Sequence, residues 1–123
     1  MPSFTLDFAK HPQLRFRIDS FSVPAASRAA FEAAMQRNLA FIQTLPGFVG
    51  HLVFDKASGP SSFNIVTIAA WESPKAIEKA IRAVRHYYED IGFNPSEATA
   101  RWGVAAEIGE YDVLSEPRAQ GTG

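Results

Sequence analysis

The sequence predicts a single α+β domain with the element order β-α-β-β-α-β, the ferredoxin-like arrangement with a four-stranded antiparallel sheet. Three observations lead to this prediction. The chain has 123 residues, which fits one domain, since domains commonly hold about 100–150 residues. Apolar side chains recur with a period of two in some segments and with a helical period in others. Proline and glycine lie between these segments, where elements begin and end.

The first strand is predicted from Leu14 to Val23, where side-chain character alternates. One face holds apolar residues and the other charged ones: Leu14, Phe16 and Ile18 against Arg15, Arg17 and Asp19. Pro24 then opens a helix over Ala25 to Leu45, because its fixed φ and missing N–H are tolerated at a helix start. Pro46 and Gly47 end that helix.

The second and third strands are predicted from Phe48 to Phe54 and from Phe63 to Trp71, with a hairpin loop from Asp55 to Pro60. The third strand is apolar almost throughout, which is typical of a strand buried on both faces. Two helices can cover only one face of the sheet. We therefore expect the other face to pack on a second copy of the chain, because large exposed apolar patches are rare on monomers.

The second helix is predicted to begin at Ser73 and Pro74, an N-cap followed by proline at the first helical position. Its apolar stripe has a 4-3-4-3 spacing and consists of Ile77, Ile81, Val84, Tyr88 and Ile91. Gly92 ends it. We expect a loop from Phe93 to Trp102 and a last strand from Val104 to Leu114.

The regions outside residues 14–114 lack these patterns. Residues 1–13 are expected to form an irregular arm, and the small, polar residues 115–123 a flexible tail. The N-terminus has no basic segment followed by an apolar run, and no apolar stretch approaches the ~20 residues that cross a bilayer. The absence of cysteine fits a reducing compartment. We expect a cytoplasmic protein without membrane contact.

Charge and composition exclude several kinds of site. Twelve basic and thirteen acidic residues give a net charge of -1, which provides no electrostatic footprint for nucleic acid. No cysteine and only three histidines are present, so an ordinary zinc site, a thiol nucleophile and an iron–sulfur cluster are not expected. No metal ligand is assigned.

Three stretches resemble the antibiotic biosynthesis monooxygenase family of the dimeric α/β-barrel superfamily. They are Phe31-Glu32 in the first helix, Leu45 to Gly50 before the second strand, and Ile68 to Ser73 at the end of the third. The similarity extends over about Leu14 to Leu114. It implies a homodimeric α/β barrel with a small-molecule pocket between sheet and helices, and cofactor-independent oxygenation of an aromatic or apolar substrate. A non-catalytic ligand-binding or stress-response domain is the alternative.

The resemblance also covers haem-degrading relatives, which use an asparagine on the first strand, a tryptophan, and a histidine on the second helix. Only the tryptophan, Trp71, has a counterpart here. His86 lies opposite the apolar stripe of its helix and should face solvent. Haem degradation is therefore disfavoured, and no cofactor is expected.

Two residues are predicted to share the pocket. Trp71 matches the family tryptophan that lines the pocket, although it could instead close the core as a structural aromatic. Asn38 lies near the centre of the helical arc that holds Phe31, Met35, Ile42 and Leu45. An amide there either orients a substrate oxygen or bonds to the sheet edge or trapped water. The substrate-binding set is predicted to be Phe31, Met35, Trp71 and Tyr88.

The remaining candidates are polar. From the alternation of its strand we expect His51 to be partly enclosed. It is either a candidate base or a structural histidine of the core or interface. With Asn38 and Trp71 it completes the predicted catalytic set. Tyr88 either offers its phenol to a ligand or packs in the core. Arg17 either binds a carboxylate or phenolate or, the favoured hypothesis, forms a solvated or intersubunit salt bridge.

Overall fold

The computed structural model describes residues 5–114. Its four strands are β1 (Arg15–Ser22), β2 (Phe48–Asp55), β3 (Ile65–Trp71) and β4 (Ala105–Asp112). Its three α-helices are α1 (Arg28–Ile42), α2 (Pro74–Ile91) and α3 (Pro95–Trp102), and a 3₁₀ turn at Ala25–Ser27 precedes α1. The predicted tail, residues 115–123, and the first four residues of the predicted arm lie outside the described residues.

The four strands form one antiparallel sheet in the order β2-β3-β1-β4. β1 and β3 are the central strands, and Arg17 of β1 pairs with Ala69 of β3 and with Glu110 of β4. The predicted α+β, ferredoxin-like architecture is confirmed. The helices of the two β-α-β units lie on one face of this sheet, because the side chains of that face share one cavity with all three helices.

Local sequence signals explain the bounds of α2. The Ser73 side chain accepts a hydrogen bond from the backbone N–H of Ala76 at 3.1 Å, and Pro74 occupies the first turn. Gly92 ends the helix in the left-handed conformation, with φ 70°, a region that glycine enters without steric cost. The predicted start and end of this helix are confirmed to within one residue.

The predicted loop from Phe93 to Trp102 is wrong, because most of it is helix α3. The Asn94 side chain accepts a hydrogen bond from the backbone N–H of Glu97 at 3.1 Å, and Pro95 occupies the first turn. Gly103 ends the helix at φ 67°. These are the capping features that also delimit α2. The signal was therefore present in the sequence, but the helix is too short for an extended apolar stripe.

Two clusters of buried side chains form the core. One joins β3 to α2 through Trp71, Ala69, Ala76, Ile77 and Ala80. The other joins the start of α1 to the sheet through Val23, Phe31 and Ile65. Asn64 anchors this second cluster, because its side chain exchanges hydrogen bonds of 2.9 Å with both the N–H and the C=O of Val23.

The sheet face opposite the helices carries exposed apolar side chains. Leu52 and Phe54 of β2 are 42% and 46% exposed, and Tyr111 of β4 is 53% exposed. Phe54 pairs with Val66 and Tyr111 with Phe16, so the exposed residues extend an apolar surface across the sheet. Among the helices of residues 5–114, none has the length and apolar character needed to span a membrane.

Candidate functional site

A cavity of about 670 Å³ lies between the sheet and the three helices. Typical small-molecule sites enclose about 300–1,000 Å³, so this volume suits a ligand of that size. The walls are mostly apolar and draw on both core clusters; α1 and α2 supply Phe31, Ala34, Met35, Leu39, Ile42, Ile77, Ala80, Ile81 and Val84. Ile108 of β4 also lines the cavity and is 58% exposed, so the cavity opens toward solvent at that edge strand.

Most of the residues predicted for the site lie around this one cavity. Phe31, Met35, Asn38, Trp71 and Tyr88 all line it. The helical angle of α1 and α2 and the alternation of β3 placed these residues on the faces that now meet.

His51 and His86 lie in different surroundings. His51 is on the edge strand β2, opposite Ala69, with its ring 5.9 Å from the ring of Phe48. It is not among the residues that line the cavity, and its use as a base stays a prediction. His86 is exposed and lies 3.5 Å from Asp90 on the outer side of α2, as its position opposite the apolar stripe predicted.

Trp71 closes one end of the cavity. It is 4% exposed and packs edge-on against Phe48, with ring centroids 5.3 Å apart. It also belongs to the buried cluster with Ile77 and Ala80. Trp71 therefore packs in the core and lines the cavity at the same time. The structural and the pocket-lining positions considered for it do not exclude each other.

Asn38 is held by its neighbour Arg37. The Nε and Nη2 atoms of Arg37 donate to Asn38 Oδ1 at 3.3 and 3.2 Å. The same guanidinium lies 4.5 Å from the centre of the Phe93 ring, a cation–π contact that fixes the arginine. Because the amide oxygen accepts these bonds, the amide NH₂ group can donate to an acceptor in the cavity.

The cavity also contains an ion pair that sequence reasoning did not assign to it. Arg17 and Asp19 both line the cavity from β1, and Arg17 Nε donates to Asp19 Oδ1 at 3.0 Å. Their side chains are only 28% and 22% exposed. Arg17 forms a salt bridge, as the favoured hypothesis expected; its partner is two residues away on the same strand, and the pair lies beneath the helices.

Two ionisable groups that line the cavity, Asp19 and Tyr88, have perturbed pKa values. Burial raises the pKa of the Asp19 carboxyl above its ordinary range, and the charge and hydrogen bond of Arg17 counter only part of that effect. Burial likewise raises the pKa of the Tyr88 phenol; Arg37 and Arg17 oppose this shift, and Asp19 reinforces it. Tyr88 is thus a neutral hydrogen-bond donor at physiological pH, with its ring edge-on against Phe93 at 5.1 Å.

This arrangement has defined chemical capabilities. The Asp19 carboxylate, the neutral Tyr88 phenol and the Asn38 amide NH₂ group lie around a largely apolar space, and Arg85 and Glu89 of α2 also line it. Such a space can bind a flat apolar molecule, hold one of its oxygens and exchange a proton with it. Within residues 5–114, no three His, Asp or Glu side chains are grouped so that they could hold a metal ion.

The fold is that of several solved structures. A cofactor-independent oxygenase from Streptomyces nogalater, SnoaB, is 21% identical with a TM-score of 0.62, over 85% of this chain and 96% of its own. A candidate antibiotic biosynthesis monooxygenase from Deinococcus radiodurans is 14% identical with a TM-score of 0.65, over 87% and 99%. A heme-degrading protein from Mycobacterium tuberculosis is 18% identical with a TM-score of 0.58, over 86% and 100%.

These similarities concern the fold. No family model matches the sequence. No curated protein matches it either. The chain thus shares the fold of antibiotic biosynthesis monooxygenases, and that fold also occurs in a heme-degrading protein. Since one fold serves several reactions, the activity has to be inferred from the cavity itself.

Proposed function

We propose that this protein is a cofactor-independent, monooxygenase-like enzyme that oxidises a small aromatic or apolar molecule in the cavity between sheet and helices. The observation that supports this most directly is the cavity of about 670 Å³ with apolar walls and a few polar groups. Apolar walls limit the contact of a bound substrate with water, which protects reactive intermediates. The fold shared with a cofactor-independent oxygenase adds support from a second direction.

The proposed chemistry needs no redox group in the protein. A substrate that has lost a proton becomes electron-rich enough to reduce molecular oxygen, so substrate and oxygen supply all the electrons. The protein binds, orients and deprotonates. Trp71 forms an apolar end wall, the Asn38 amide donates to a substrate oxygen, and the Tyr88 phenol donates a second hydrogen bond.

The test uses anthrone, a tricyclic aromatic ketone with an acidic methylene group. Wild-type protein should convert it to anthraquinone in air faster than buffer alone, and conversion should stop without oxygen; absorbance spectra follow the product. Asn38→Leu should weaken anthrone binding about tenfold or more, the effect of losing one or two donated hydrogen bonds. Gln36→Leu, an exposed position on the same helix, is the matched control. Binding of anthrone without its oxidation would contradict the proposed enzymatic activity and favour a non-catalytic binding domain.

Stability of the Asn38→Leu variant separates the two interpretations of that amide. If Asn38 only lines the pocket, Asn38→Leu should leave the free energy of unfolding unchanged or raise it, because a polar group is removed from a partly apolar site. If the amide is structural, the same change should lower the free energy of unfolding by on the order of 1–3 kcal/mol, because its partner loses a hydrogen bond. Urea denaturation of the variant beside Gln36→Leu measures the difference.

We also propose that the protein is a homodimer joined through the sheet face opposite the helices. Leu52, Phe54 and Tyr111 are exposed on that face, and a stable interface of at least ~1,000 Å² would cover them. Sedimentation at micromolar concentration should give twice the monomer mass of 13.5 kDa. Leu52→Glu should give monomers, whereas Ile91→Glu, with the same 42% exposure but on a helix, should not. A wild-type monomer would contradict this proposal.

A cytoplasmic location completes the proposal. The cysteine-free composition supports it, because such a chain gains nothing from an oxidising compartment. Fractionation of the source cells should recover the protein with cytoplasmic marker enzymes, and recovery in another fraction would contradict this location.

A further inference from the structure

Asp19 occupies the middle of the cavity floor. It lies on the central strand β1, where it pairs with Thr67 of β3 and with Ile108 of β4. All three residues line the cavity. The carboxylate is therefore presented from a rigid sheet rather than from a loop, a placement that holds a reactive group in a constant position.

One oxygen of this carboxylate is engaged and the other is open. Arg17 Nε donates to Oδ1 at 3.0 Å, and no donor within residues 5–114 bonds to Oδ2. An arginine bound to both oxygens would block the carboxylate, as a bidentate pair does. Here the single bond leaves Oδ2 able to accept a proton from a molecule in the cavity.

The charged groups around Asp19 limit which substrate can bind beside it. Arg17 on β1 brings positive charge next to the carboxylate, while Tyr88, Arg85 and Glu89 of α2 lie on the cavity wall. The residues that β3, β4 and α3 contribute to the cavity are uncharged. An anionic substrate would be repelled by Asp19, so the substrate class that fits is a neutral aromatic molecule with an acidic O–H or C–H.

We propose that Asp19 is the catalytic base, that its Oδ2 removes the substrate proton, and that Arg17 is the positioning residue that keeps it ionised. This inference rests on the proposed oxygenation. Burial raises the pKa of Asp19, which makes its ionised form a stronger proton acceptor than an exposed carboxylate. The charge and hydrogen bond of Arg17 oppose that shift and so favour the ionised form.

The proton and the electrons balance along the reaction. Asp19 takes a proton from a methylene group, R₂CH₂, and leaves the carbanion R₂CH⁻. The carbanion gives an electron to O₂, and the resulting radicals combine to form a C–O bond and the peroxide R₂CH–OO⁻. Asp19 returns its proton to the terminal oxygen, and loss of water yields R₂C=O. One molecule of substrate and one of O₂ thus give one ketone and one water, with no external reductant.

The test compares two aspartates on the same sheet. Asp19→Asn should lower kcat for anthrone about 100-fold or more, the usual contribution of a general base, with a much smaller change in KM. Asp19→Glu should restore part of kcat, because it returns a carboxylate. Asp112→Asn removes an aspartate that also binds an arginine but lies outside this cavity, and should leave both constants unchanged.

The pH profile separates catalysis from a structural effect. The wild-type rate should rise with pH as Asp19 ionises and then level off. Arg17→Met removes the group that lowers the Asp19 pKa, so this rising limb should move to higher pH. In Asp19→Asn the limb should be absent. A merely structural loss would lower the rate equally at all pH values and would overturn the inference.

Failure of this inference and failure of the proposed function give different results. An active wild type whose Asp19→Asn variant is equally active overturns the role of Asp19 and leaves the oxygenase proposal standing. A wild type that oxidises anthrone no faster than buffer overturns the oxygenase proposal and, with it, the role of Asp19. An active wild type with an inactive Asp19→Asn and a partly active Asp19→Glu supports both.

Discussion

Two arginine–aspartate pairs on the same sheet differ in burial, in geometry and in electrostatic outcome. Arg17 Nε donates to one oxygen of Asp19 at 3.0 Å, whereas Arg15 donates to both oxygens of Asp112, from Nε at 2.8 Å and from Nη2 at 3.1 Å. Burial raises the pKa of Asp19 in spite of its arginine, whereas the hydrogen bond from Arg15 lowers the pKa of Asp112. Burial of Asp19 and the second hydrogen bond to Asp112 together account for the opposite directions of the two pKa shifts.

The physical reason is the balance between desolvation and attraction. At the exposed end of the sheet water still solvates Asp112, so the hydrogen bond from Arg15 adds to an already hydrated charge. In the cavity Asp19 has lost most of its water, and one hydrogen bond does not replace it. The exposed pair therefore links β1 to β4, while the cavity pair leaves Asp19 with a raised pKa.

The largest expected difference is in stability near neutral pH. Arg17→Met strands the partly buried Asp19 charge and should cost about 1–3 kcal/mol, the penalty for a buried polar group that loses its partner. Arg15→Met leaves an exposed Asp112 that water solvates, and its free energy of unfolding should change less. Urea denaturation of the two variants checks this, and equal losses would contradict the contrast.

Removal of the whole cavity pair should recover much of that loss. In Arg17→Met/Asp19→Leu neither charge remains, and apolar side chains face the apolar walls. The double variant should be more stable than Arg17→Met alone, since apolar replacement of buried pairs is often neutral or stabilising. A double-mutant cycle from denaturation curves measures the coupling, and simple additivity of the two losses would rule out a desolvated pair.

The two aspartates should give opposite pH slopes of stability. Because the pKa of Asp19 is raised in the folded protein, its contribution to stability is present below the pKa that it has in the unfolded chain. This contribution is lost as the pH rises through the pKa of the folded state. Because the pKa of Asp112 is lowered in the folded protein, its contribution to stability is present above the pKa that it has in the unfolded chain. This contribution is lost as the pH falls through the pKa of the folded state. On acidification the stability of wild type relative to Asp19→Asn should rise, and relative to Asp112→Asn it should fall.

The smallest expected effect is that of salt. Added sodium chloride should reduce the stability cost of Arg15→Met, because mobile ions screen exposed pairs. It should change the cost of Arg17→Met less, since both side chains of that pair are largely buried. Melting temperatures of both variants and wild type at low and high salt test this; a larger salt effect on Arg17→Met would indicate that the cavity is flooded.

Much of the fold could be predicted because its signals are local. Ser73 and Pro74 start α2, and Gly92 ends it, through capping chemistry that neighbouring residues supply. Asn94 and Pro95 carry the same signal for α3, and the prediction failed there because eight residues provide no long apolar stripe to support it. The alternation and the helical angle also grouped Asn38, Trp71 and Tyr88 correctly by face.

The sequence by itself determined which side chains share a face, and the tertiary structure decided which face the helices cover. Period-two alternation on β1 places Arg17 and Asp19 together whatever surrounds them. Their charge predicted a solvated face, yet the helices pack on that side, and the more apolar side with Phe16 and Ile18 is turned away. The tertiary structure also decided that His51, on the edge strand and paired with Ala69, lies outside the cavity lining. A strand pattern is symmetric between its two faces, and only the packing of the helices breaks that symmetry.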